Sequence, residues 1–106
     1  MKEVKIMVLV SGERIIGNME YIQPKDNEVW MGHYEIEDPK IIIPQKVEGK
    51  FAVSLDPWLV FAKQDKVDIG ENLVITVVDP IESIRKAYLQ CTSKIAIPPA
   101  GMKVMS

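Results

Sequence analysis

The sequence is short of the side chains that most often carry chemistry, with one cysteine, Cys91, and one histidine, His33, among its 106 residues. A single cysteine cannot form an internal disulfide, and no second thiol is present to complete a metal site or a redox pair. We interpret Cys91 as a small apolar residue of a helix and not as a nucleophile. The short WMGHYE context gives His33 no fixed partner, so we interpret it as a strand or loop histidine and not as a general base.

Motifs of known chemistry are also missing. The sequence contains no phosphate-binding loop, no regular spacing of metal ligands and no nucleophile elbow. We therefore predict that the protein is not an enzyme and that it has no catalytic residues, no metal and no cofactor.

Long hydrophobic runs are absent as well. The uncharged apolar runs, such as MVLV and NLVITVV, fall far short of the roughly 20 residues that a membrane helix needs. Near the N-terminus, Glu3 and Lys5 interrupt the apolar run, and no small-residue cleavage site follows. We expect no membrane association, no signal peptide and a cytoplasmic location.

Neither sign of charge dominates, because 13 basic residues face 15 acidic ones and the net charge is −2. This balance argues against a protein coated in basic residues for duplex binding, although a local basic rim stays compatible with it. The 47% hydrophobic and 26% charged content is that of a folded globular chain, and the length fits one domain.

The first half of the chain predicts a three-stranded meander. Val4, Ile6, Val8 and Val10 recur with period two, and a tight turn through Gly12 leads into a second strand over residues 14–22. Gly17 lies inside that second strand, where a glycine usually marks a bend, a bulge or a close approach of another backbone. Residues 23–27, QPKDN, have turn chemistry, and a third strand follows them.

Three Asp-Pro pairs divide the second half, and each should end, begin or bend a strand because proline cannot donate to a ladder. Between them lie short segments rich in β-branched and aromatic residues, at 41–43, 51–55, 58–62 and 72–78. Lys63, Asp65, Lys66 and Asp68 mix both signs of charge, so we interpret that stretch as a solvated loop. We interpret three aromatic residues as core and not as platforms for stacked bases: Trp30, Trp58 and Phe61.

The third Asp-Pro pair matches a helix start, with Asp79 as N-cap, Pro80 at the first helical position and Glu82 at the third. We predict a helix over about residues 80–91, which either closes one end of a barrel or packs on a neighbouring subunit. Its apolar stripe comprises Ile81, Ile84, Ala87, Tyr88 and Cys91. The predicted fold is therefore mainly β with a C-terminal helix, as one domain over residues 1–92, followed by a loosely held tail over residues 93–106.

An open sheet of short strands leaves bare edges, and pairing edge to edge with copies of the same chain is one remedy for them. We therefore predict a closed homo-oligomeric ring formed by strand pairing.

The opening hairpin, V-x-x-x-G-x-x-I-x-G-x-hydrophobic from Val8 to Met19, resembles the first motif of the Sm/LSm family, which includes Hfq. The resemblance implies a small, strongly bent five-stranded barrel that assembles into rings and binds single-stranded RNA around the pore. Gly12 and Gly17 stand at the positions of the family's turn glycine and bend glycine. Asn27 stands ten residues past Gly17, where the family keeps an asparagine that contacts a base.

The chain also departs from that family. Gln23 replaces the family's aspartate, Lys25 replaces a frequent stacking residue, and nothing matches the family's second motif, which ends in Arg-Gly. Residues 54–63 and 72–90, SLDPWLVFAK and NLVITVVDPIESIRKAYLQ, are similar to uncharacterised Sm-like proteins of cyanophages and marine sequences. If the chain is encoded by a phage, its expected location is the cytoplasm of the host.

Two functions follow as expectations. The first is a non-enzymatic ring that binds single-stranded RNA or DNA in nucleic-acid processing, with Asn27 at a base, Lys25 near phosphate and Gln23 on the same nucleic-acid-binding loop. The second is a structural or protein-interaction module that forms the same oligomer without binding nucleic acid. The missing Arg-Gly and the acidic balance favour the second function, whereas the spacing of Asn27 favours the first.

Overall fold

The computed structural model describes residues 1–25 and 31–92, without the side chain of Phe51. Asn27, Trp30 and the tail predicted over residues 93–106 lie outside this described part. The elements follow in the order β1 (Glu3–Leu9), β2 (Arg14–Ile22), β3 (His33–Val47), β4 (Lys50–Pro57), β5 (Lys66–Gly70), a 3-10 helix (Glu71–Leu73), β6 (Val74–Val78) and α1 (Glu82–Thr92).

The strands form one antiparallel sheet in the order β4-β3-β2-β1-β6, and β5 pairs with the first half of β3. The predicted mainly β fold with a C-terminal helix is confirmed. The sheet has six strands, however, where five were predicted, and in the described part of the chain its path is open and does not close into a barrel.

Two segments of the second half differ from the prediction. Residues 58–62, expected to be extended, form bends and a turn after β4 ends at Pro57. The stretch 63–68 was expected to be a solvated loop, but its last three residues belong to β5 because Val67 and Ile69 alternate with charged residues and pack into the core. Lys66 and Asp68, two of the four charged residues that indicated a loop, lie exposed on this strand.

The turn between β1 and β2 depends on Gly12, which has a φ of +95°. The Gly12 N–H donates to the Leu9 carbonyl at 2.8 Å, and the Leu9 N–H donates to the Glu13 carbonyl at 2.9 Å. A positive φ is open to glycine at little steric cost, so this position fixes the tight connection between the two strands.

Gly17 lies opposite a β-bulge. The β2–β3 register passes from Ile16↔Lys40 to Asn18↔Glu37, so Gly17 faces both residues of the first Asp-Pro pair, Asp38 and Pro39. A Cβ atom built on Gly17 would lie 2.5 Å from Ile36 Cγ2 and 3.3 Å from the Glu37 carbonyl oxygen. The glycine therefore permits two strands to approach closely where β3 bends.

The apolar core has two parts, one on each face of the sheet. The first cluster comprises Met7, Leu9, Ile15, Met19, Ile36 and Ile69. The second cluster comprises Ile16, Leu55 and Tyr88, and the helix residues Ile84 and Ala87 pack against it. The helix therefore packs on one face of its own sheet, which we call the outer face, and does not close the end of a barrel. The alternative of packing on a neighbouring subunit stays a prediction. Ile81, at the start of the predicted stripe, is 70% exposed.

The start of α1 differs from the prediction. The Arg85 N–H donates to the Ile81 carbonyl at 3.0 Å, which makes Ile81 and not Asp79 the residue that precedes the first helical turn. The Asp79 carboxylate accepts a hydrogen bond from Lys5 Nζ on β1 instead. The Asp79 cap was therefore wrong, because the side chain pairs with a cation that the sequence places far away.

Trp58 connects the segment after β4 to the turn between β1 and β2. Its indole Nε1 donates to Glu13 Oε2 at 3.1 Å, and its ring packs against the first core cluster. The segment after β4 thus contacts the β1–β2 turn, although β4 itself pairs only with β3 among the described strands. Trp58 serves the core as predicted, whereas the prediction for Phe61 was wrong, because that side chain is fully exposed.

The hairpin of β3 and β4 extends beyond the rest of the sheet. β2 pairs with β3 only as far as Ile15↔Ile41, whereas the β3–β4 ladder continues from Ile42↔Leu55 to Val47↔Lys50. Its turn places Glu48 at φ 52° and Gly49 at φ 77°, both values of a type I′ turn. We call residues 42–55 the arm.

Candidate functional site

The predicted nucleic-acid residues lie on the segment that follows β2. Gln23 and Lys25 come directly after the end of β2 at Ile22, and both are exposed. Asn27, the third predicted residue, lies outside the described residues. The structure therefore places Gln23 and Lys25 together on one exposed segment, and the contact of Asn27 with a base stays a prediction.

The edge strand β6 is one of two candidate assembly edges. In the described part of the chain β6 pairs only with β1, so its other side carries no ladder. Its sequence, VITVV, contains no charge and no proline, the usual means of protecting an edge. Ile75 is 62% exposed and Val78 45% exposed.

The second candidate edge is β4, at the opposite end of the sheet. Among the described strands β4 pairs only with β3, and its Val53 is 41% exposed. The segment that follows β4 adds a run of exposed apolar side chains: Leu59, Val60 and Phe61. Exposed apolar surface that continues from the edge of a sheet is typical of a contact with another chain.

A charged face occupies the part of the outer sheet that α1 leaves uncovered. His33, Glu35 and Glu37 alternate along β3 and so point to one side of the sheet. Glu35 has Glu20 of β2 directly opposite on one side and Asp68 of β5 on the other. This arrangement sets three carboxylates in a row across three strands.

Lys2 partly neutralises that face. Its Nζ lies 3.0 Å from Glu37 Oε1 and 3.9 Å from Glu35 Oε1. The hydrogen bond to Glu37 raises the pKa of Lys2, and the charges of Glu37 and Glu35 act in the same direction. The N-terminal ammonium lies 2.6 Å from Glu20 Oε2 and lowers the pKa of that carboxyl.

His33, Glu35 and Asp68 bring possible metal-ligand atoms together, all within 4.8 Å of one another. Sequence analysis missed this group because Asp68 is distant in the chain and joins the other two only through the β3–β5 register. Glu35 and Asp68 are a cross-strand pair, and His33 is two residues along β3 on the same side. Only the strand pairing, which no local motif encodes, reveals the arrangement.

An aromatic pair lies on the other face, where β2 ends. The rings of Tyr21 and Tyr34 meet edge to face with centroids 5.2 Å apart. The Tyr21 hydroxyl donates to the Glu71 carboxylate, and this bond raises the pKa of Tyr21. The contact ties the end of β2 to the 3-10 helix, so we assign it a structural role.

Helix α1 contributes a buried polar contact to the sheet. The Tyr88 hydroxyl lies 2.9 Å from the Asp38 carbonyl oxygen and 3.1 Å from the Glu37 carbonyl oxygen. Burial raises the pKa of Tyr88, and the nearby charge of Asp38 adds to the shift. Thr92 Oγ1 donates to the Tyr88 carbonyl at 3.0 Å and so completes a bond at the end of the helix.

Within the described part of the chain, no helix combines the length and the hydropathy that crossing a bilayer requires. No protein-family model matches the chain, and no curated protein shows significant similarity to it. The resemblance to the Sm-like family stays a prediction.

Proposed function

We propose that the protein is a non-enzymatic assembly module, whose copies join edge to edge into a ring, and that the ring binds single-stranded nucleic acid. One observation carries the proposal: within the described residues, two partly apolar edge strands, β4 and β6, lie at opposite ends of the same sheet, and each has one side without a strand partner. We place this function in the cytoplasm, or in that of the host if the chain is encoded by a phage.

The proposed contact pairs β6 of one copy with β4 of the next. Two different edges meet in such a contact, so one copy keeps its β4 and the other keeps its β6 for a further neighbour, and the series of contacts ends when a ring closes. The pairing satisfies the backbone groups of both edges and covers apolar side chains such as Ile75 and Val53. Hydrogen bonding and apolar burial therefore favour the same contact.

Nucleic acid is the proposed ligand of this ring. Gln23 and Lys25 are exposed on one segment, and a ring would repeat that segment once per copy, so weak single sites could add up to useful avidity. The row of Glu20, Glu35 and Asp68 repels phosphate, which confines the proposed contact to the segment after β2. If no nucleic acid binds, the same edges support the alternative of a structural or protein-interaction module.

Assembly is tested by light scattering after size-exclusion chromatography. We expect the wild type to be an oligomer at micromolar concentration and Ile75→Lys or Val53→Lys to shift it to the monomer, since each places a charge beside a pairing edge. Val10→Lys is the matched control, because Val10 is 58% exposed in a turn and belongs to neither edge. A monomeric wild type, or oligomers that survive both edge substitutions, would contradict the proposed contact.

Nucleic-acid binding is tested by fluorescence anisotropy with uridine-rich and adenine-rich RNA and their DNA equivalents, at low and moderate salt. We expect saturable binding that weakens with salt and is reduced by the double substitution Lys25→Ala, Asn27→Ala. Lys86→Ala, which removes an exposed lysine from α1, is the control for net charge. If an intact oligomer does not bind, the nucleic-acid function is wrong and the assembly module remains. If the double variant binds like the wild type, the proposed binding residues are wrong.

A further inference from the structure

The group of His33, Glu35 and Asp68 offers one imidazole and two carboxylates on two paired strands. His33 Nε2 lies 4.0 Å from Glu35 Oε2, and all three ligand atoms lie within 4.8 Å of one another. Two ligands on one metal ion with bonds near 2.1 Å are separated by roughly 3–4 Å, so side-chain rotation alone closes the remaining gap. The strands hold the three Cα positions, and the exposed rim leaves room for water ligands.

The electrostatics of the strand pairing point to a cation at the same place. Like charges directly opposite each other in a sheet destabilise it, and Glu35 faces a carboxylate on both sides. Glu20 has the N-terminal ammonium and Glu35 has Lys2 as partners, whereas Asp68 forms no ion pair within the described residues. The uncompensated charge of the row therefore lies on the side of β5 that faces His33.

The donor set limits the kind of ion. An imidazole with two carboxylates suits a borderline divalent ion such as Zn²⁺ and also accommodates the harder ion Mn²⁺, whereas Mg²⁺ and Ca²⁺ prefer oxygen ligands alone. Three protein ligands leave coordination positions for water. We propose that His33, Glu35 and Asp68 form a binding site for a borderline divalent cation that bridges β3 and β5.

The site predicts a link between metal and the stability of β5. β5 pairs with β3 alone among the described strands, and a cation shared by Asp68 and the two β3 residues adds a second connection. Binding to the folded state raises the melting temperature as the concentration of the ion increases. This inference does not depend on ring assembly or on nucleic acid.

The test is isothermal titration of chelator-treated full-length protein with Zn²⁺ and with Mn²⁺, alongside melting curves at each ion concentration. We expect one saturable site per chain and a rising melting temperature. His33→Ala and Asp68→Asn should each lower the affinity by roughly tenfold or more and abolish the melting shift. All three side chains are at least partly exposed, so these variants should fold, which circular dichroism checks.

Two matched variants separate the site from general surface charge. Glu48→Gln removes an exposed carboxylate from the arm, and Cys91→Ser removes the single thiol, the other strong zinc ligand of the chain. Both should bind like the wild type. The proposal is overturned if the wild type shows no saturable binding, if His33→Ala or Asp68→Asn binds as tightly as the wild type, or if Cys91→Ser alone abolishes binding.

Discussion

The hydroxyl of Tyr88, on the last helix, lies 2.9 Å from the carbonyl oxygen of Asp38, in the bulge of the longest strand. It also lies 3.1 Å from the Glu37 carbonyl oxygen, so its single proton is shared between Asp38 in the bulge and the ladder residue that precedes it. A bulge leaves backbone groups without ladder partners, and the Tyr88 hydroxyl, which comes from outside the sheet, donates a hydrogen bond to one of them. Gly17 permits the bend on one side, and Tyr88 satisfies it on the other.

Replacing Tyr88 with phenylalanine tests this bond. The ring should stay packed in the second core cluster while two carbonyls lose their partner, at a cost of about 1–2 kcal/mol in the free energy of unfolding. Urea denaturation measures the change. Tyr21→Phe is the control, because its hydroxyl bond to Glu71 is exposed and its loss should change the stability less. Equal effects of the two substitutions would contradict a special role for Tyr88.

The same residue predicts a loss of stability at alkaline pH. Burial raises the pKa of Tyr88 in the folded state, so the folded protein keeps a proton that the unfolded chain loses above pH ~10. The unfolded state then binds fewer protons, and the free energy of unfolding falls by up to about 1.4 kcal/mol per pH unit above that point. The measurement is urea denaturation between neutral and strongly alkaline pH. Tyr88→Phe should show a shallower decline, and parallel curves would contradict the prediction.

Gly17→Ala should destabilise the fold through the close approach of β3. The new methyl group would lie 2.5 Å from Ile36 Cγ2, and moving two packed strands apart costs about 1–3 kcal/mol. Thermal melting monitored by circular dichroism measures the effect. Gly12→Ala is the comparison, since nothing lies within 4 Å of its Cβ and only the positive φ opposes it, by about 1 kcal/mol. A neutral Gly17→Ala would show that β3 can yield at the bulge.

A substitution at Ile81 tests where the helix begins. Ile81 occupies the cap position and is 70% exposed, so Ile81→Asp should add a cap hydrogen bond and stabilise the protein by about 1 kcal/mol. Asp79→Ala removes only an exposed ion pair with Lys5 and should change the stability by less than about 1 kcal/mol. Chemical denaturation of both variants measures the two changes. A larger loss of stability in Asp79→Ala, with no gain in Ile81→Asp, would mean that Asp79 is the cap.

The turn of the arm offers a stabilising substitution. Glu48 has a φ of 52°, a conformation that asparagine adopts more readily than glutamate, and Asn-Gly is the preferred pair of a type I′ turn. Glu48→Asn should therefore slow amide hydrogen exchange in the arm by several-fold. Gly49→Ala should speed that exchange, because alanine resists the φ of 77°. Unchanged exchange in both variants would mean that the turn does not limit opening of the arm.

The parts of the fold that local patterns encode could be predicted from the sequence. The period-two pattern of β1 located the first hairpin, and the first Asp-Pro pair marked the bend in β3. The features that needed partners distant in the chain were missed. Asp79 matched the pattern of a helix cap, but in the structure its carboxylate binds Lys5. Lys66 and Asp68 matched the pattern of a loop, but in the structure they belong to a strand that pairs with β3.

The candidate sites divide in the same way. The segment of Gln23 and Lys25 follows from turn chemistry and from a resemblance, whereas the group of His33, Glu35 and Asp68 exists only through the β3–β5 register. The exposure of Phe61 also depends on how the segment after β4 leaves the sheet. Hydrophobic character alone cannot distinguish a core aromatic from one at a surface.

The contact between Tyr88 and the bulge also affects the order in which parts of the chain fold during synthesis. Tyr88 follows Asp38 by 50 residues, so a nascent chain that has emerged only as far as β4 can form the bent hairpin but not the bond that holds its bend. Until α1 leaves the ribosome, Ile16 and Leu55 of the outer face stay uncovered. Among the described elements α1 therefore joins the fold last, and it covers an apolar surface through which growing chains would otherwise associate.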